Sequence, residues 1–128
     1  AAPGVSGPGW AAFVIAAAIG APLRLVVDDL VSRRWAPPLP WGTFLVNVSG
    51  SLLLGLITGL ALYHGLPKTP RLVLGTGFCG AYTTFSTFAF ETVRLAEEGA
   101  PGKAFANAAG SVVAGTLAAA AGLAIASL

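Results

Sequence analysis

The sequence predicts an all-α membrane protein of four transmembrane helices, the third broken near its middle. Three observations predict it. Hydrophobic residues make up 55% of the 128 residues and charged residues only 9%, against about 25% charged in a typical soluble domain. The apolar residues fall into four blocks, each of roughly the 17–25 residues that cross a hydrocarbon core. Short connectors rich in proline and glycine separate the blocks.

The first span runs from Trp10 to about Val27, the second from Trp41 to Tyr63, the third from Leu72 to Phe90 and the fourth from Ala104 to Leu128. Trp10, Trp35, Trp41 and Tyr63 sit at span ends, where interfacial aromatics collect. Residues 1–128 read as one transmembrane domain, with no internal repeat and no soluble domain. A net charge of +2 is too weak to attract nucleic acid. One cysteine, Cys79, and one histidine, His64, support neither a disulfide framework nor a cysteine-rich metal site. No catalytic constellation is visible, so no enzyme is expected.

Orientation is weakly signalled. One side carries Lys68 and Arg71, the other Arg33, Arg34, Arg94 and Lys103. Basic residues in short loops set topology. So small a bias is compatible both with one fixed orientation and with insertion in both. Small residues recur at helical spacing: Ser51, Gly55 and Gly59 in span two, Ser111, Gly115 and Ala119 in span four. Such lines let backbones approach closely. Four thin helices enclose little by themselves, which points to a homo-oligomer.

Gly75, Gly77 and Gly80 break the third span, which restarts as TTFSTFAF. Backbone freed by a break in a membrane needs protein or water to satisfy it. Its oxygens suit Na⁺, although a helix–helix crossing explains the glycines equally well. Thr83, Thr84, Ser86, Thr87 and Glu91 place five hydroxyl or carboxyl groups along a short stretch. Phe85 and Phe88, three apart, offer ring edges of partial positive charge to an anion, or simply pack. Thr43 and Asn47 share one face of span two, and Gly59 has rotated to nearly the opposite side. Asn47 offers two donors that lipid would satisfy neither of. It serves a pathway or an interhelical hydrogen bond. Asn107 and Ser111 are likewise four apart in span four. Arg24 snorkels to the interface or lends positive potential to an anion vestibule. Asp28 and Asp29 beside it suggest a local ion pair. Tyr82 and Cys79 read as packing.

GTFLVNVSGSLLLG (Gly42–Gly55) followed by GFCGAYTTFSTFAFE (Gly77–Glu91) closely resembles the Fluc/CrcB family of fluoride channels, and the similarity covers essentially the whole chain. The resemblance implies an antiparallel, dual-topology homodimer in the cell inner (plasma) membrane, among lipid, with two fluoride pathways. It implies passive export of fluoride and hence fluoride resistance. It implies a structural Na⁺ at the dimer interface, held by backbone carbonyls at the positions of Gly80 and Thr83. Phe85 and Phe88 match the aromatic box around fluoride, and Asn47 the asparagine that reaches into the pathway. Thr43, Ser86, Thr87, Glu91 and Ser111 match a polar track, and Arg24 the basic residue of span one. Two positions depart from the pattern: Ala81–Tyr82 replaces a glycine and an aliphatic residue, and Asn107 stands where some members have tyrosine.

A small four-span, dual-topology exporter of drugs or cations is the alternative. It needs a carboxylate buried in a span, typically the first, and span one has no acid before Asp28 at its end. A scaffold that transports nothing would account for the glycine lines but leave the TTFSTF run unexplained.

Overall fold

The computed structural model describes residues 4–35 and 38–128. Among them every regular element is helical. Helix α1 spans Gly7–Arg34 and α2 Trp41–His64; α3 (Lys68–Arg71) runs directly into a π-helical segment, Leu72–Cys79, and then α4 (Gly80–Tyr82). After Thr83 and Thr84 come α5 (Phe85–Glu97) and α6 (Pro101–Ala126). Helices α1, α2 and α6 are each long and apolar enough to cross a membrane. The protein is a multi-pass membrane protein.

The helix ends follow from local chemistry. The Ser6 hydroxyl accepts from the Gly9 N–H at 3.2 Å and caps α1. Helix α1 continues two turns past the expected end at Val27, because nothing after it breaks a helix. Asp29 instead pairs with Arg33 at 2.9 Å, and Arg33 and Arg34 stand in the last turn, where cations favour the helix dipole. Gly65 closes α2 in the left-handed region, with φ 66°, a conformation glycine adopts at no steric cost. Pro101 opens α6, where its missing N–H leaves nothing unsatisfied. The third connector accordingly shrinks to Glu98–Ala100. The proline-rich first connector includes Ala36 and Pro37, which lie outside the described residues.

The two faces expected of α2 have different neighbours. Its small-residue face lies along α6. A Cβ on Gly55 would strike the Ala119 carbonyl, one on Gly59 would strike the Ala126 side chain, and one on Gly122 would meet the Leu56 amide nitrogen at 2.6 Å. Backbone thus meets backbone along this seam, and a side chain at Gly122 would push the helices apart. A Cβ on Gly115 would stand 3.5 Å from Ser51 Oγ. The small lines read from the sequence are therefore the two sides of a contact within one subunit. His64 Nε2 donates to the Ala126 carbonyl at 2.7 Å and ties the far ends together. The polar face of α2 turns to α5 instead.

The break in the third span is displaced from its expected position. Helix continues through Gly75, Gly77 and Gly80 and stops at Thr83, whose backbone is extended (φ −79°, ψ 159°). Gly77 serves a crossing with α1, while Gly75 faces Leu54 and Ile57 of α2. A Cβ on Gly77 would lie 3.0 Å from the Phe13 carbonyl, and one on Gly20 would lie 2.7 Å from that of Phe78. The widened π-turn spans this crossing. π-turns within α-helices often mark functional sites. Gly80 differs from its neighbours: a Cβ on it would meet no other part of the described residues within 4 Å.

Candidate functional site

The site is built on the two residues that interrupt the third helix. Thr84 is extended (φ −146°, ψ 119°), and its hydroxyl accepts from the Thr87 N–H at 3.2 Å, so it is the N-cap of α5. The same hydroxyl donates to Thr87 Oγ1 at 3.0 Å and lies 3.5 Å from Ser86 Oγ. Asn47 completes the break from α2. Its Nδ2 donates to the Thr84 carbonyl at 2.9 Å, and its Oδ1 accepts from the Thr84 N–H at 2.8 Å. One side chain thus supplies both bonds that a strand neighbour would give Thr84, which is 7% exposed. One N–H of Asn47 remains.

Among the carbonyls released at this break are those of Gly80 and Thr83. In a continuous helix the Thr84 N–H would close on Gly80 and the Thr87 N–H on Thr83. Both donors are committed elsewhere, to Asn47 Oδ1 and Thr84 Oγ1. The Gly80 and Thr83 carbonyl oxygens are left without those partners. Thr83 turns its hydroxyl back to the Cys79 carbonyl, at 2.8 Å.

Beside the break lies an open groove of about 600 Å³, with Asn47, Gly80, Thr83, Phe85, Phe88 and Ser111 among its walls. The Phe85 and Phe88 rings stand 5.9 Å apart between centroids, tilted by 51°. Phe85 is 79% exposed. The buried Ser111 hydroxyl has no partner among the described residues. A buried hydroxyl of this kind is rare, and its residue is one of the groove walls. Arg71 is the charged residue among the described walls, and no carboxylate lines them. The described walls bring together the Asn47 amide, the Ser111 hydroxyl and two aromatic rings, and carry no counter-charge for a cation.

A family model described as CrcB-like protein, camphor resistance (CrcB), matches residues 11–123. The chain belongs to the CrcB family. Among curated relatives, the fluoride-specific ion channel FluC 1 of Streptomyces avermitilis is 51% identical over 114 residues, covering 89% of this chain and 92% of its own. That of Frankia casuarinae, of the same name, is 50% identical over 125 residues, covering 91% of this chain and 95% of its own. The fluoride-specific ion channel FluC 2 of Mycobacterium bovis is 48% identical over 110 residues, covering 86% and 84%.

Not all the residues singled out in this CrcB-family sequence meet in the groove. Thr43, 4% exposed, donates to Glu91 Oε1 at 2.6 Å, joining α2 to α5 beside the groove. Ser86 and Thr87 stay on the first turn of α5, in the Thr84 network. Arg24 is half-buried on α1, away from the groove walls. The ion pair suggested for it is not formed: Asp29 takes Arg33, and Asp28 accepts from Ser32 at 3.3 Å. An acid four residues before its base is the favoured order on a helix, and Arg24 precedes both acids. Tyr82 does more than pack. It is stacked on Phe78, with centroids 5.6 Å apart, and its hydroxyl donates to Ser49 Oγ at 2.9 Å, Ser49 having given its own proton to the Val46 carbonyl.

In the sequence Thr84 stands out only as one hydroxyl of the polar run, and Thr92 does not stand out at all. The signal for Thr84 is local: a threonine immediately before a helical run is an N-cap pattern. Thr92 donates to the Phe88 carbonyl and accepts from Asn107. No local pattern announces it, because its partner lies on another helix.

Proposed function

We propose that this chain is a fluoride-selective channel that lets fluoride leave the cell passively across the inner (plasma) membrane and so confers fluoride resistance. The observation that carries the reading is near-50% identity, along about nine-tenths of both chains, to proteins named fluoride-specific ion channels. Fluoride is small and tightly hydrated, so a path must replace its water shell with strong donors. The remaining Asn47 N–H, the unpartnered Ser111 hydroxyl and the Phe85 and Phe88 edges are such donors. Thr43, Ser86, Thr87 and Glu91 extend the polar track along α5, with Glu91 oriented by the Thr43 hydroxyl. Arg24 lends positive potential from α1.

In this reading the groove is closed by a second copy inserted upside down, giving an antiparallel homodimer of four-span subunits. Three features support it. The groove is open along one subunit, Phe85 is 79% exposed on it, and the basic residues divide only two against four between the two sides. The open surroundings of Gly80 and the freed carbonyls of Gly80 and Thr83 fit a structural Na⁺ shared by the two subunits. Backbone oxygens are hard ligands suited to that ion. When bound it would hold the two breaks together, with no part in driving transport.

The test is fluoride efflux from liposomes containing the full chain alone, read with a fluoride electrode against chloride. Efflux of fluoride without chloride, independent of any Na⁺ gradient, is expected. Flux driven by that gradient, or no fluoride flux, would refute the reading. Topology has its own readout. Single cysteines in the first connector of one subunit and the second connector of the other should crosslink; an N-terminus found on one side of the membrane throughout would eliminate dual insertion.

A further inference from the structure

The polar contact between α5 and α6 lies outside the groove. Thr92 donates its hydroxyl proton to the Phe88 carbonyl at 2.8 Å. With that proton committed, Thr92 Oγ1 can only accept, and Asn107 Nδ2 donates to it at 2.8 Å. The direction of the chain is thereby fixed: a flipped Asn107 amide would set two oxygens face to face with no proton between them. Asn107 is 7% exposed. We propose that Asn107 is a positioning residue for the ion path, acting through Thr92 on the turn of α5 that carries Phe88. The inference rests on the fluoride-channel reading.

Helix α5 needs such ties. The extended residues Thr83 and Thr84 detach it from the helix before it, so its roll about its own axis is set by contacts alone. Two polar ties come from α2, at Thr84 and Glu91. The tie at Thr92 comes from α6 on another side, one turn before the buried Leu95. A roll of one residue turns a helix face by about 100°, so a modest error suffices to misdirect the Phe88 ring. Asn107 itself stands apart from the rings. It lines a separate cavity of about 230 Å³ with Trp41, Phe44 and Gly110. That placement favours action through Thr92 over direct contact with the ion.

The experiment compares Asn107→Ala, Thr92→Val, Thr92→Ser and the double variant Asn107→Ala/Thr92→Val as full chains in liposomes. Sodium fluoride is the probe, and size-exclusion chromatography checks assembly. Loss of one neutral hydrogen bond should lower fluoride efflux about fivefold in each of Asn107→Ala and Thr92→Val. The double variant should be no worse than either, and Thr92→Ser should restore the flux that Thr92→Val loses. In a Phe88→Ile background, Asn107→Ala should have no further effect, which a merely structural contact would not predict. Full flux in Thr92→Val beside reduced flux in Asn107→Ala overturns the proposal in favour of direct contact with the ion. Multiplicative losses, or an Asn107→Ala effect undiminished without Phe88, overturn it as well. Should Asn107→Ala fail to assemble, equal flux in Thr92→Val and Thr92→Ser is sufficient to reject it. A wild-type chain that conducts fluoride while these patterns fail rejects this inference alone; one that conducts none removes the channel reading and the inference with it.

Discussion

Asn47→Leu should all but stop fluoride efflux, by on the order of 10- to 100-fold, the range for one donor lost to a charged group. The residue has two tasks that leucine performs neither of. In the proposed pathway its second N–H serves the anion, and its other polar atoms hold the Thr84 backbone at 2.9 and 2.8 Å. Thr84 is 7% exposed, so leucine would strand its N–H and its carbonyl in an apolar surrounding. Each stranded group costs about 1–3 kcal/mol, and the relieved N–H would be drawn toward the Gly80 carbonyl, its partner in a continuous helix. The substitution should therefore lower thermal stability as well as flux. Asn47→Asp extends the test: a carboxylate can still accept from the Thr84 N–H but has no proton for the carbonyl or for an anion. Its second oxygen would face the Thr84 carbonyl, so it should gain little stability over Asn47→Leu and regain no fluoride flux. Parallel recovery of both would show that Asn47 acts only by pinning the break.

The same residue illustrates how far the sequence could be read. Its polarity within an apolar helix marked it as consequential, and its spacing from Thr43 placed both on one face. That face does meet α5, through Thr43–Glu91 and Asn47–Thr84. What the spacing left open was the partner, because Thr84 is distant in sequence and presents only its backbone. The small-residue lines were legible for a similar reason: helical period alone puts Ser51, Gly55 and Gly59 on one seam. Their opposite number was read only in part, since Gly122 and Ala126 continue the α6 line beyond Ala119.

The break was misplaced for a physical reason. Glycine permits an interruption without requiring one, and at Gly77 and Gly20 it serves close crossing of two backbones. Capping specifies an end more firmly. Thr84 terminates the run because its hydroxyl captures the Thr87 N–H and Asn47 captures its own. Of these two captures, the first was visible in the local sequence and the second was not. The Asn107–Thr92 contact was equally hidden, since neither residue has a nearby pattern that selects the other.

Phe88→Ile carries the second large effect, a fall in fluoride efflux of roughly tenfold, the upper range for a specific aromatic interaction beyond its buried area. The exchange keeps an apolar side chain of similar bulk, and swaps of that kind ordinarily cost less than about 1.5 kcal/mol in a packed setting. If Phe88 only fills space, the channel should assemble and conduct almost as before. If its ring edge holds the anion, assembly should persist while flux falls, because isoleucine has no positive edge to offer. The neighbouring ring sharpens the comparison. Phe85, 5.9 Å away, is 79% exposed in the single subunit, so packing within its own chain does not explain it. Phe85→Ile should therefore reduce flux at least as much as Phe88→Ile while disturbing the isolated subunit less. Near-normal fluoride efflux in both variants would remove the rings from the pathway and leave Asn47 and Ser111 as its donors.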